Sequence, residues 1–284
     1  MAAFVKSPDF ADSIPADIYH RLVQSVNLKQ NKKGLTLTIQ EIVSDSRLLY
    51  IPFTIQTKPG LEHKLQFTLT DGSGNILLDP NTVGLGYGIS STTYSIDEDM
   101  PGLYNGYLRL QAADWFSYSG EIKLNVWVKG ETGRTWTYTI ANTPVENKVL
   151  VHDANLSFKL QTEEGLYPLH AGTVALYPME TVLSLTEQGT DELDTELAPF
   201  LERMYLEDGD GNRAAYKRGT IDKDAEGNYL PKKVFDSLYF HNPQELYLVI
   251  EEAEPEWRMH EQLWSSNPDQ TVPVYRLKER IRLY

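Results

Sequence analysis

Oxygen ligands at alternate positions are the first chemistry this chain offers. Asp208-x-Asp210-x-Asn212 has the opening spacing of a calcium loop, in which side-chain oxygens at the first, third and fifth positions face one cation. The sixth position needs a turn-making glycine and holds Arg213, and the twelfth needs a bidentate glutamate and falls at Gly219 or Thr220. A second run, Asp222-x-Asp224-x-Glu226-Gly227, has the glycine but places Lys233 at the twelfth position. Both runs read as solvated turns. The six histidines, at 20, 63, 152, 170, 241 and 260, are scattered with no HExxH spacing, and no Gly-x-Ser-x-Gly elbow or Ser-x-x-Lys set marks a hydrolase. Gly84, Gly86 and Gly88 lack both the GxGxxG spacing and the βαβ unit that would give a phosphate a helix N-terminus. The carboxylate pair of a glycosidase cannot be picked out among 40 Asp and Glu. No catalytic, cofactor-binding or metal-ligating residue is assigned, and a non-enzymatic chain is expected.

Exposed aromatics are the remaining lead. Trp115, Phe116 and Tyr118 sit in a polar stretch, Trp127 lies opposite the core face of its strand, and Trp257 and Trp264 flank a charged segment. Large aromatics in such places stack on sugars or anchor a protein partner, or else plug the ends of sandwiches and the contact between domains.

Composition bounds the partners. The chain has 284 residues, 41% hydrophobic and 23% charged, enough for one large core or two ordinary ones. A net charge of −14 and a pI of about 4.9 repel phosphate backbones and anionic lipid, so nucleic acid and a membrane surface are not expected partners. With no cysteine, disulfides, thiolate metal sites and cysteine nucleophiles are all excluded. No apolar run approaches the roughly 20 residues that span a bilayer.

The elements that would position any site read as β. The stretch from Gly34 to Thr57 alternates Leu35, Leu37 and Ile39 with threonines, turns at Ser-Asp-Ser-Arg, and resumes with Leu49, Ile51, Phe53 and Ile55, which predicts a hairpin. Before it, Pro15 opens PADIYHRLVQSV, where Ile18, Leu22 and Val26 fall at helical spacing. After it, strands are predicted at 64–70, 92–96, 107–110, 122–128 and 136–140, with little helix between, which indicates a β-sandwich. The polar Asn142-Thr-Pro-Val-Glu-Asn147 break sets the expected domains: a lead-in at 1–14, a first sandwich at 15–146 and a second at 147–284.

The second half repeats the first. Phe67-Thr-Leu-Thr-Asp-Gly-Ser-Gly-Asn75 and Met204-Tyr-Leu-Glu-Asp-Gly-Asp-Gly-Asn212 each end a strand in the same turn, which supports two related sandwiches. Residues 173–185 read as a poorer copy of the hairpin's second strand, with Leu176-Tyr177-Pro178 echoing 49–52. Leu193, Leu197 and Leu201 predict an inserted helix; Leu246, Leu248 and Ile250 predict a strand, and Tyr275, Leu277, Ile281 and Leu283 a final one.

SPDFADSIP at 7–15, the short helix, the GLTLTIQEIVSDSRLLYIPFTI hairpin and the DGSGN turn together resemble the extracytoplasmic region of a family of membrane-anchored, anti-sigma-factor-like proteins of Gram-positive bacteria, of largely uncharacterised function. The resemblance is best over 7–140. It implies two immunoglobulin-like β-sandwich domains in tandem with a short N-terminal helix, placed outside the cell and anchored by a membrane helix upstream of these residues. It brings no catalytic residues and no cofactor. The implied role is a sensor or interaction region whose partner is an extracellular ligand or protein. The alternative is a surface module binding wall polymers, with Trp115 and Trp257 as anchors.

Overall fold

The computed structural model describes residues 16–58, 65–78, 91–96, 102–111, 120–128, 135–143, 148–161, 166–187, 203–223, 229–251 and 274–284. The chain divides into two compact units, Met1–Asn147 and Lys148–Tyr284. Both are built from strands, preceded by one short helix.

In unit 1, α1 (Ala16–Leu22) leads into β1 (Val23–Lys32), β2 (Leu35–Ser44), β3 (Leu48–Gln56), β4 (Leu65–Asp71), β5 (Ile76–Leu78), β6 (Ser91–Ile96), β7 (Leu103–Gln111), β8 (Gly120–Val128) and β9 (Thr135–Asn142). One sheet has the order β1-β2-β3-β7-β6 and the other β5-β4-β8-β9. With β2 to β9 lettered A, B, C, C′, D, E, F and G, these are the A-B-E-D and G-F-C-C′ sheets of an immunoglobulin-like sandwich, with β1 added outside strand A. The residues dictate the layering. On β8 and β9, Ile122, Leu124, Val126, Trp136, Tyr138 and Ile140 are buried in alternation with exposed or half-buried polar neighbours. They meet Leu35, Leu37, Ile39, Ile51, Phe53 and Ile55 in one core, where the Phe53 and Phe67 rings approach to 5.3 Å across the sheets.

The predicted hairpin is β2 and β3, and its alternation separates buried from more exposed residues on the first half of β2 but not on β3. Leu48 and Tyr50 are as buried as Leu49 and Ile51. On the same unit α1 packs against β2 and buries Ile18, Tyr19 and Leu22. A seven-residue helix has no independent stability, so this burial, worth about 2 kcal/mol per large side chain, is what holds it. The helix ends at Leu22, and Val26, read as its last apolar position, belongs instead to β1.

β1 also reaches the other sheet. Gln24 and Gln30 donate their side-chain amides to the carbonyls of Ala141 and Thr137, and Lys32 donates to that of Thr135. These bonds occupy the outer edge of β9, a row of carbonyls that would otherwise template another strand. Tyr138 ties the same seam from inside: its hydroxyl donates to the Leu37 carbonyl at 2.9 Å.

In unit 2 the strands are β10 (Leu150–Gln161), β11 (Leu166–Leu176), β12 (Thr181–Glu187), β13 (Met204–Asp208), β14 (Arg213–Lys223), β15 (Tyr229–Phe235), β16 (Leu246–Ile250), β17 (Val274–Arg276) and β18 (Arg280–Arg282), with a 3-10 turn at Tyr239–His241. They form one continuous order, β17-β10-β11-β12-β15-β14-β13-β16-β18. The topology is nonetheless that of unit 1. β11, β12 and β15 take the places of A, B and E, and β13, β16 and β18 those of C, F and G. The single strand β14 serves as both C′ and D. Its residues 213–215 pair with β13, a register shift follows between Tyr216 and Arg218, and 216–223 pair with β15. Here too an extra strand, β10, lies outside strand A, and β17 adds to it in parallel. Phe158, Leu160, Leu169, Leu206, Phe235 and Leu248 lie in the unit's main core, and Val182 and Val234 form a smaller cluster with Tyr177.

Two repeated details match closely. Asp71 Oδ1 accepts from Ser73 N and Asn75 N while Oδ2 accepts from Asn75 Nδ2; Asp208 does the same with Asp210 N, Asn212 N and Asn212 Nδ2. Gly74 and Gly211 close these turns at φ of 89° and 88°, a conformation that favours glycine. The extra strands carry the second detail. Asn27 and Asn155 stand at positive φ where the β1/β2 and β10/β11 registers slip.

Two expectations for unit 2 are corrected. Leu176-Tyr177-Pro178 does not echo the strand at 49–52: β11 stops at Leu176, residues 177–180 make the turn, and β12 starts at Thr181. The final strand is two, because Lys278 adopts φ of 69° and breaks the run between β17 and β18. The predicted helix around 193–201 lies outside the described residues.

Candidate functional site

The outward faces of the two G-F-C-C′ sheets are where this fold presents side chains that its core does not need. In unit 1 the strand register sets the rows Gln66–Trp127–Thr135, Thr68–Asn125–Thr137 and Thr70–Lys123–Thr139. Trp127 is half-buried, and its indole N–H donates to Gln66 Oε1 at 2.9 Å. Thr137 Oγ1 donates to Asn125 Oδ1 at 2.9 Å. Apart from Lys123, which pairs with Glu121 at 3.7 Å, these rows carry no charge. They form a neutral hydrogen-bonding surface around an oriented indole.

The equivalent face of unit 2 is charged. The register gives the rows Ala215–Tyr205–Val249–Arg280 and Arg213–Glu207–Tyr247–Arg282. Glu207 lies between two arginines, with Oε2 2.9 Å from Arg213 Nε and Oε1 3.1 Å from Arg280 Nε. Each guanidinium also lies over a tyrosine ring, Arg213 at 4.4 Å from Tyr205 and Arg280 at 3.9 Å from Tyr247. Tyr247 donates to Glu245 Oε2 at 2.7 Å, and Glu245 Oε1 pairs with Arg282 Nη2 at 2.9 Å. The bond to Glu245 holds the Tyr247 proton and pushes its pKa up. The Glu207 side chain is 11% exposed whereas those of Arg213 and Arg282 are 61% and 60% exposed, so the carboxylate is the inner member and the cations face out.

The calcium-like spacing at 208–212 resolves into the turn already described. The Asp208 carboxylate accepts three N–H bonds, the bonding of an Asx turn. Asp222 lies in β14, and 224–228 fall outside the described residues. The five aromatics singled out from the sequence, Trp115, Phe116, Tyr118, Trp257 and Trp264, also lie outside them. Trp127 is described and points outward, as its position opposite the core face predicted. The arginine and tyrosine network was missed. Its signal was available in Arg280-Ile-Arg-Leu283 and Met204-Tyr-Leu-Glu207, where polar and apolar residues alternate and the outward positions carry the charge.

No family model and no curated protein matches the chain. Among solved structures, a conserved domain protein from Bacillus anthracis is similar with a TM-score of 0.50 and 14% identity, over 83% of this chain and 81% of that one. A DUF4426 family protein from Pseudomonas aeruginosa gives a TM-score of 0.26 at 13% identity, over 41% of this chain and 97% of that one. Bovine butyrophilin gives 0.22 at 11% identity, over 74% and 88%. What the chain shares with the Bacillus protein is a β-rich fold.

Proposed function

We propose that this chain is a non-enzymatic interaction region, the extracytoplasmic sensing part of a membrane-anchored regulator of the anti-sigma-factor-like kind. The observation that carries the reading is the divergence of two equivalent faces. The units repeat one topology and one Asx turn, yet one G-F-C-C′ face is neutral and the other is an arginine and tyrosine network. Folding requires neither face to carry that chemistry, since the inward positions alone fill the cores. Tyr and Arg are the residues enriched where protein interfaces concentrate their binding energy. The sequence resemblance over 7–140 supports the cellular placement, and the partner is an extracellular ligand or protein.

Site-directed photocrosslinking in cells making the natural protein tests this, with the reactive residue at Thr137 on one face and Ala215 on the other. Adducts from at least one face, absent from a probe at Thr173 outside both faces, are expected. No adduct from either face overturns the reading.

A second reading, a surface module for wall polymers, draws support from Trp127, whose indole is oriented by Gln66 on an uncharged surface suited to stacking on a saccharide. Binding to purified cell-wall sacculi that falls in Trp127→Ala supports that reading, and equal retention of the two proteins removes it.

A further inference from the structure

We propose that the outward face of β13, β16 and β18 in unit 2 is a docking site for an acidic segment of a protein partner, with Glu207 as the internal counterion that the partner's carboxylates supplement. The proposal rests on the interaction reading above and names the partner class for one of its two faces.

Charge placement is the first argument. Residues 148–284 hold 14 Lys and Arg against 25 Asp and Glu, so they carry −11 of the chain's −14. Against that background three arginines from β14 and β18 converge on one face and outnumber its two glutamates. A local positive island in an acidic unit attracts an acidic segment only when that segment is placed on the island, which fixes where and how it docks.

Preorganisation is the second. Arg213 is held by its Nε on Glu207 and by the Tyr205 ring while its side chain stays 61% exposed. Arg280 is held the same way by Glu207 and Tyr247, and among the described residues its Nη2 makes one further, long contact of 3.4 Å to the Asp208 carbonyl. Both guanidiniums are therefore fixed before a ligand arrives, and less rotamer entropy is lost on binding. A planar guanidinium that meets Glu207 through Nε and keeps its side chain about half exposed or more matches a carboxylate, and two of them flanking one buried carboxylate present a fork to successive acidic side chains.

The test uses the full chain and fluorescently labelled decaglutamate, with decaglutamine as the neutral control, at low ionic strength. Wild type is expected to bind decaglutamate and not decaglutamine. Arg213→Gln and Arg280→Gln should each weaken binding about fivefold or more, while Lys123→Gln on unit 1 leaves it unchanged. The decisive variant is Glu207→Gln. It removes the negative charge that competes with the ligand's carboxylates, a gain that should exceed the preorganisation lost and tighten binding several-fold, whereas a network serving only stability would show no such gain. Absence of wild-type binding, equal binding of decaglutamine, or unchanged or weaker binding by a folded Glu207→Gln protein overturns the proposal. So does a preference for polyphosphate of matched charge over decaglutamate. Failure here with crosslinks persisting at Ala215 sinks the acidic partner alone, and loss of crosslinks at both faces sinks the interaction reading itself.

Discussion

Tyr138→Phe removes one oxygen atom from the seam that joins the two sheets of unit 1, and its cost follows from what that oxygen does. Tyr138 is 2% exposed, and its hydroxyl donates to the Leu37 carbonyl at 2.9 Å. Burial raises its pKa well above the ordinary tyrosine value, as a neutral hydroxyl sealed from water requires. Phenylalanine keeps the ring contacts and deletes this bond, leaving the Leu37 carbonyl without that donor in a site water does not reach. A buried group deprived of its partner costs roughly 1–3 kcal/mol, so the substitution should cost about 2 kcal/mol. With a urea slope of about 2 kcal/mol per molar for a unit of this size, the midpoint of the unit 1 transition should fall by about 1 M at unchanged slope. Trp127 and Trp136 lie in unit 1 and give the fluorescence signal. Gln30→Ala is the control: it removes an exposed side-chain bond across the same seam, from β1 to β9, and should cost under about 0.5 kcal/mol. A Tyr138→Phe shift no larger than that of Gln30→Ala would refute the argument that this hydroxyl closes the sandwich.

Three further outcomes are expected. Asn155→Val forces a β-branched residue to φ of 38° and should destabilise unit 2 by about 1–2 kcal/mol, whereas Asn155→Gly should be close to neutral by the same denaturation assay. Arg218→Met strips Glu180, whose side chain is 2% exposed, of its 2.8 Å partner; because Arg218 itself is 29% exposed, the loss should be about 2 kcal/mol. His152 stacks face to face on Tyr284 at 3.8 Å, and burial lowers its pKa. The unfolded chain thus takes up its proton first, and stability should fall as pH drops from about 6.5 toward the folded pKa, a slope that His152→Phe removes in a melting-temperature series against pH.

The fold was legible where residues alternate without interruption. Ile122 to Val128 and Trp136 to Ile140 report their strands because every second side chain enters one core. The Asp-Gly-x-Gly-Asn turns were legible because the aspartate, the second glycine and the asparagine are each required by the bonding observed. β1 was not: its Gln24, Gln30 and Lys32 bond β9 from the surface, so the strand lacks an apolar stripe and its few apolar residues mimic helical spacing. β14 and β15 left no periodic signal either, since β14 crosses from one sheet to the other through a register shift and β15 buries Lys232 and Lys233 beside Val234 and Phe235. The charged face of unit 2 was hidden for a related reason. Glu207, Arg213 and Arg280 are 73 residues apart at the extremes and converge only through the pairing of β13 with β14 and β16, and of β16 with β18.

These 284 residues hold no cysteine, so one introduced among them is their single thiol and allows a direct test of the proposed placement against the unsubstituted protein. Thr137, exposed on the unit 1 face, is replaced by cysteine in the natural protein, and intact cells are treated with a membrane-impermeant maleimide. Labelling of intact cells to the level seen after lysis is the predicted result. Labelling that appears only after lysis would contradict the extracytoplasmic account.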